Sequence, residues 1–370
     1  MPSAATSAGA VAAPPVVVNS YRPLKGGASD GASETSFLVN LVALAASLAV
    51  LGGAYVAGLR SPAELFVLLP VSLLVFTVVL ESLFHPRTCA LRRLKVRRRL
   101  DVRRVLLREF ALLATLLVIG FAYWLLPAFR DKDMCEHYYP FLCFLVPLLL
   151  VLGFPYFCLM DVVDPEGDDE YLKLGRALAG FKRTMTRFEF ANYARGWLVK
   201  AFWLSLMQPA AVLKLKLFIG SDWQQTMSTP AAMFAMASAI CYGIDLCYAA
   251  SGYLLNFKMF NTHTRTAEPT FLGWAAAVAC YWPFWAILFH PYFFNYHGAK
   301  NWMSVFATGG VAWYVWAAAI IALEALYTMA TVAAGIRFSN LTYRGLWNTG
   351  PYRWTKHPAY VFKNVHILFH

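Results

Sequence analysis

The stretch "SFLVNLVALAASLAVLGGAYVAGL", Ser36 to Leu59, contains no Asp, Glu, Lys or Arg. A helix rises about 1.5 Å per residue, so a run of this length reaches across the ~30 Å hydrocarbon core of a bilayer. Comparable runs recur at about 63–84, 105–126, 141–160, 196–219, 231–255, 271–289 and 311–334. Lys200, Lys214 and Lys216 interrupt the fifth of these, and lysines near helix ends snorkel to the interface, so it is retained as a span. Composition agrees: 59% of residues are apolar and 14% charged, against roughly 25% charged in soluble domains. The expected class is an all-α, multi-span transmembrane helical bundle of about eight spans, plus the start of a ninth.

The formal net charge is +12, and the basic residues gather in short loops between apolar runs. That pattern sets topology and meets anionic lipid headgroups, and it excludes a nucleic-acid partner. "HPRTCALRRLKVRRRLDVRR", His85 to Arg104, holds nine Lys or Arg against one Asp, which places the loop in the cytoplasm. Counting spans alternately then puts an amino tail (1–35), the connection after span four and the segment after span eight on that same side. For a bacterial protein this means the inner membrane. The tail is rich in Ala, Ser, Gly, Pro and Val and is expected to be flexible. Near 168–190, Leu174, Leu178, Phe181, Met185 and Phe188 follow helical spacing with basic flanks, including Lys173, Arg176, Lys182 and Arg183. They suggest an interfacial helix lying on the cytoplasmic leaflet.

Several features invite chemistry and resolve into simpler readings. The seven cysteines are scattered singly, without a CxxC pair, and read as small packing residues. "DVVDPEGDDE", Asp161 to Glu170, is the one acidic cluster. It lacks calcium-loop spacing and reads as helix caps paired with neighbouring basic residues. His290 and His297 lie among aromatics at a membrane boundary with no third ligand near, so no metal site is expected. Asp245 and Glu324 are different, because a carboxylate inside a span is costly and needs an interior partner. Walker, GxGxxG, GxSxG and HExxH motifs are absent, so any chemistry must be built from helix ends and loops.

The segment from 335 to 370 carries the densest candidate site. In "NTGPYRWTKHPAYVFKN", Asn348 to Asn364, Gly350–Pro351 and His357–Pro358 stiffen the backbone outside the helical region. Tyr352, Trp354 and Tyr360 offer ring faces, while Arg353, Lys356, His357 and Lys363 offer donors. A ligand with an aromatic base, a carboxylate and a cationic centre suits this mixture, and S-adenosylmethionine has all three. A basic aromatic interface anchor is the alternative reading of the same residues.

"GPYRWTKHPAY" resembles the Gly-x-Tyr-x-x-x-Arg-His-Pro-x-Tyr signature of the integral membrane methyltransferases. That family includes isoprenylcysteine carboxyl methyltransferases and phospholipid N-methyltransferases. Gly350, Tyr352, His357, Pro358 and Tyr360 match, and Lys356 stands where the family usually has arginine. The resemblance covers about thirty residues, from Gly335 to Asn364. It implies a cytoplasmic loop that closes over S-adenosylmethionine, with cofactor contacts from Gly350, Tyr352, His357, Pro358 and Tyr360, and with Lys356 and Asn364 as neighbours. It implies methyl transfer to a lipid or lipidated acceptor. An amine acceptor must lose a proton, a task for Glu324 or His357. Family members continue into a further helix and a polar segment that completes the cofactor pocket, whereas this sequence stops at His370. The expectation is either a truncated piece or a chain without the closing half, with weak cofactor binding in the second case. An NADPH-dependent sterol-type reductase shares the Arg-His-Pro-x-Tyr loop but usually has asparagine where Ala359 stands. A non-catalytic lipid- or partner-binding membrane protein is the third reading.

Overall fold

The computed structural model describes residues 33–84, 96, 99–130, 132, 134–163, 168–181, 184–281, 284, 287 and 302–369. Residues 1–32 of the amino tail, most of the basic loop from His85, and His290 and His297 lie outside the described residues. Among those described, seven helices are long and apolar enough to cross a membrane: Phe37–Val56, Pro62–Phe84, Val102–Leu125, Met134–Val163, Arg187–Gly220, Pro230–Leu254 and Val311–Arg337. The chain is a multi-pass, all-α membrane bundle. The expected run at 271–289 is described as a helix over Phe271–Val278, and much of its second half lies outside the described residues.

The longer helices are α1 (Phe37–Val56), α2 (Pro62–Phe84), α3 (Val102–Leu125), α4 (Tyr139–Val163), α5 (Glu170–Leu178), α6 (Arg187–Gly220), α7 (Pro230–Leu254), α8 (Phe271–Val278), α9 (Val311–Ala334) and α10 (Pro358–Phe369). Their starts are written in local chemistry. Asp101 accepts from the N–H groups of Arg103 and Arg104 at the head of α3. Thr186 and Glu189 form a reciprocal capping box on α6. Thr229 caps α7 just before Pro230, where a missing N–H costs nothing. Prolines inside α2, α4 and α6 are tolerated because neighbouring helices stabilise the local break.

Small residues let the central helices approach closely. Ala249, Ala250 and Gly252 of α7 and Ala330, Ala333 and Ala334 of α9 are buried. Around them, Trp203, Tyr248, Tyr253, Phe66 and Tyr138 fill the main core. On α3, by contrast, Leu117, Val118, Phe121 and Trp124 are exposed, as expected of a lipid-facing stripe.

One end of the bundle is tied by polar contacts between distant segments. Arg337 bonds both oxygens of Glu81 at 2.6 and 3.0 Å, in a fully buried pair. Arg265 pairs with Glu34, which also accepts from Asn261. Asn40, an isolated amide in the opening apolar run, donates to the Ala333 carbonyl at the end of α9. Thr266–Ala267 (β1) and Thr342–Tyr343 (β2) pair antiparallel, Thr266 opposite Tyr343 and Ala267 opposite Thr342. This end therefore collects the starts of α1, α8 and α10 with the ends of α2, α7 and α9.

The α3–α6 connection meets at the same level. Arg108, fully buried, bonds Asp161 at 2.8 Å and Asp169 at 2.6 Å, and Arg104 bonds Asp161 at 2.9 Å. Asp169 also caps α5 through the Leu172 N–H. Of the acidic cluster, Asp161, Asp168 and Asp169 are paired with arginines, mainly those of α3. The expected interfacial helix is shorter than its sequence pattern, because α5 ends at Leu178 and Gly180 turns the chain with φ +85°. Leu172 and Leu174 face inward, while Leu178, Phe181 and Phe188 are exposed. Gly175 lies so close to α3 that a Cβ there would run into the Leu107 carbonyl.

Candidate functional site

The proline-bracketed loop folds onto the polar end of the bundle. Gly350 adopts φ +56°, and a Cβ there would sit 3.1 Å from the Phe37 ring and 3.2 Å from Ala333. Glycine is the residue that takes this angle and this approach together. A single 3₁₀ turn, Gly350–Arg353, follows, and Pro358 then opens α10. The preceding chain is pinned by Glu34 N–H donating to the Leu346 carbonyl and Asn348 N–H donating to Ser33.

Within the loop the expected site residues divide. Pro358 is buried, and Gly350 and Tyr352 are partly buried. The Tyr352 ring meets Trp347 edge-on with centroids 5.6 Å apart. Burial, with Tyr360 and Asp245 acting in the same direction, pushes the Tyr352 phenol above its usual range, so it stays a neutral donor. Lys356, His357, Tyr360 and Asn364 are exposed. His357 and Tyr360 lie ring to ring, 6.1 Å apart, and the Tyr360 hydroxyl reaches Asn340 at 3.5 Å. Trp347 Nε1 and Thr349 Oγ1 are buried without a hydrogen-bond partner among the described residues. These are polar groups that a ligand at the loop would complete.

Glu324 is fully buried and does not meet His357. Its Oε1 accepts from Ser238 of α7 at 2.8 Å and lies 3.0 Å from His366 Nε2 of α10. His357 precedes α10 and stands nine residues before His366, about 13 Å along the helix axis. The two expected catalytic groups therefore occupy different levels, and the imidazole beside Glu324 is His366. Asp245 bonds Thr331 of α9 and lies within electrostatic reach of Lys363 and Tyr352. A buried polar row thus runs from Ser238, Glu324 and His366 to Asp245 and Thr331, between α7, α9 and α10.

Sequence reasoning missed Ser238 and His366. The signal was available, because a carboxylate at the depth of Glu324 requires a partner and α10 carries a histidine. Among the described residues no group of three or more His, Cys, Asp or Glu is placed to hold a metal ion. An open groove of about 800 Å³, lined by residues such as Lys216, Asp222, Gln225 and Thr229, lies between the end of α6 and the start of α7, at the opposite end from the loop. Comparison with protein-family models, with curated proteins and with solved structures gives no match for this chain.

Proposed function

We propose that the chain is an integral membrane methyltransferase that moves a methyl group from S-adenosylmethionine to a lipid or lipidated acceptor. The observation that carries the reading is the loop from Gly350 to Tyr360, whose resemblance to the membrane methyltransferase signature coincides with a close-packed glycine turn. Gly350 in the left-handed region sets a turn that another residue would take only with strain. The loop stands at the end where the first, second, sixth and last described spans are tied together, and the basic-loop rule assigns that end to the cytoplasm. The eighth span of the sequence reading, at 271–289, belongs to this proposal, and α8 is its described beginning.

When bound, S-adenosylmethionine supplies an electrophilic methyl group. Tyr352 and Tyr360 offer ring faces for its base and cationic centre, and Lys356 offers an ammonium for its carboxylate. His357 is exposed and accepts the proton that an amine acceptor must lose, whereas fully buried Glu324 bonds Ser238 and His366 at another level of the bundle. The acceptor enters from the bilayer.

The test is binding of labelled S-adenosylmethionine to the purified chain in detergent. Saturable binding is expected, with affinity falling about tenfold in K356A, a loss of ~1.4 kcal/mol. Lys356 is exposed, so its melting temperature should not change. H357A is expected to abolish transfer to membrane lipids while leaving lipid binding intact. Absence of saturable binding, or stabilisation by NADPH in its place, overturns the reading.

A further inference from the structure

Two arginines of the segment after α9 are equally buried, at 1% exposure, but they are treated differently. Arg337 has every edge of its guanidinium satisfied, with both terminal nitrogens on Glu81 and Nε on the Asn261 carbonyl. Arg344 donates through Nη1 to the Gly252 carbonyl at 2.5 Å, and its Nε and Nη2 have no hydrogen-bond partner among the described residues. Those two groups share one edge of the planar cation. It is the edge that meets two oxygens of an anion side-on.

A second basic group stands nearby. Lys200 of α6 rests its terminal nitrogen 4.1 Å from the centroid of the Trp197 ring and lies within electrostatic reach of Arg344. The carboxylate that Lys200 senses, Glu170, is bonded to Asn192 at 3.2 Å, and burial pushes it above the usual carboxylate range. Burial brings the Arg344 guanidinium down to about 10, so it remains charged at neutral pH. A buried cation with an open edge is costly unless an anion completes it.

We propose that Arg344, backed by Lys200, is a phosphate-binding site that takes the phosphate of a membrane phospholipid. The open Nε–Nη2 edge of Arg344 meets two oxygens of one phosphate, and Lys200 stands within electrostatic reach as a second basic group. The level also suits a headgroup, because Arg344 follows β2 at the polar end of the bundle. Tyr343 and Leu346, on either side of Arg344 in the chain, are about half exposed and offer apolar surface to the lipid beyond its phosphate. Arg344 is buried here, so entry of the phosphate requires the pairing of Thr342–Tyr343 with Thr266–Ala267 and the Glu34–Leu346 hydrogen bond to open. The site is separate from the proposed methyl transfer, and a chain that bound no S-adenosylmethionine would still hold phosphate here.

The experiment measures melting of the full chain in neutral detergent with phosphatidic acid, with the matching diacylglycerol, or with inorganic phosphate alone. Phosphatidic acid is expected to raise the midpoint over diacylglycerol by ~3 °C or more. R344Q should lose that shift and K200M should reduce it. An equal rise with inorganic phosphate overturns the lipid as occupant and assigns the site to a soluble phosphate. No rise with either phosphate, or an undiminished rise in both variants, overturns the site. If R344Q does not fold, native mass spectrometry decides on K200M. The wild type should retain a phospholipid through a delipidating wash that K200M loses, and equal retention overturns the proposal.

Discussion

Glu81 illustrates how much rests on single side chains here. It is buried, and both of its oxygens are spent on Arg337. Glu81→Gln leaves the arginine charge buried with half of its fork unanswered. Breaking a buried pair from one side costs about 3–5 kcal/mol, so thermal unfolding in detergent should show a marked fall in midpoint. Gly350→Ala is a gentler change, combining an unfavourable φ with contact against Phe37 and Ala333. A loss of about 1–2 kcal/mol is expected, together with weaker binding of S-adenosylmethionine. What was legible at this scale followed from cost. Glu324 and Asp245 stood out because carboxylates in apolar runs demand partners, and both have them. The partners themselves were not legible, since Ser238 and His366 are ordinary residues until helix rotation brings them to Glu324. Arg344 was invisible for the same reason, because its isolation is a property of three-dimensional packing.

Among the elements, the connection between α4 and α6 departs most from its sequence pattern. The apolar spacing from Leu174 to Phe188 is continuous, but the chain is not one helix. Gly180 turns it, and the capping box at Thr186 starts α6 afresh. Periodicity alone does not see such a break, because the apolar residues keep their phase across the turn. What holds α5 is close contact rather than an apolar stripe. Gly175→Ala should push α5 away from the Leu107 carbonyl, and limited proteolysis should then cut the 164–186 connection faster than in the wild type. Asp168 adds a pH signature. Burial acts upward on its carboxyl, but the hydrogen bond from Arg176 and the charges of Arg176, Arg104 and Lys173 outweigh it and hold it below the usual carboxylate range. Its contribution is therefore complete above the ordinary carboxylate value near 4 and is lost as pH falls through the lowered one. In Asp168→Asn that acid-dependent component should disappear from a pH series of melting curves.

Across the whole molecule, apolar run length carried the class, and seven of the eight expected runs reappear as long apolar helices. Sidedness is open to a direct measurement. Lys356→Cys and Met227→Cys place exposed thiols at opposite ends of the bundle. A membrane-impermeant maleimide should reach the first only from the cytoplasmic side and the second only from the other, and the reverse pattern would invert the topology. The long-range ties also carry a consequence for biogenesis. Glu81 and Arg337 are 256 residues apart in the chain. At ribosomal speeds of about 5–20 residues per second, the carboxylate is translated roughly 13–50 s before its arginine. Until then the second span must sit in or beside the insertion machinery with an uncompensated acid at its end. Newly made protein should accordingly depend on a membrane chaperone or insertase during that interval, and chains released before the last span is made should be degraded rather than accumulate.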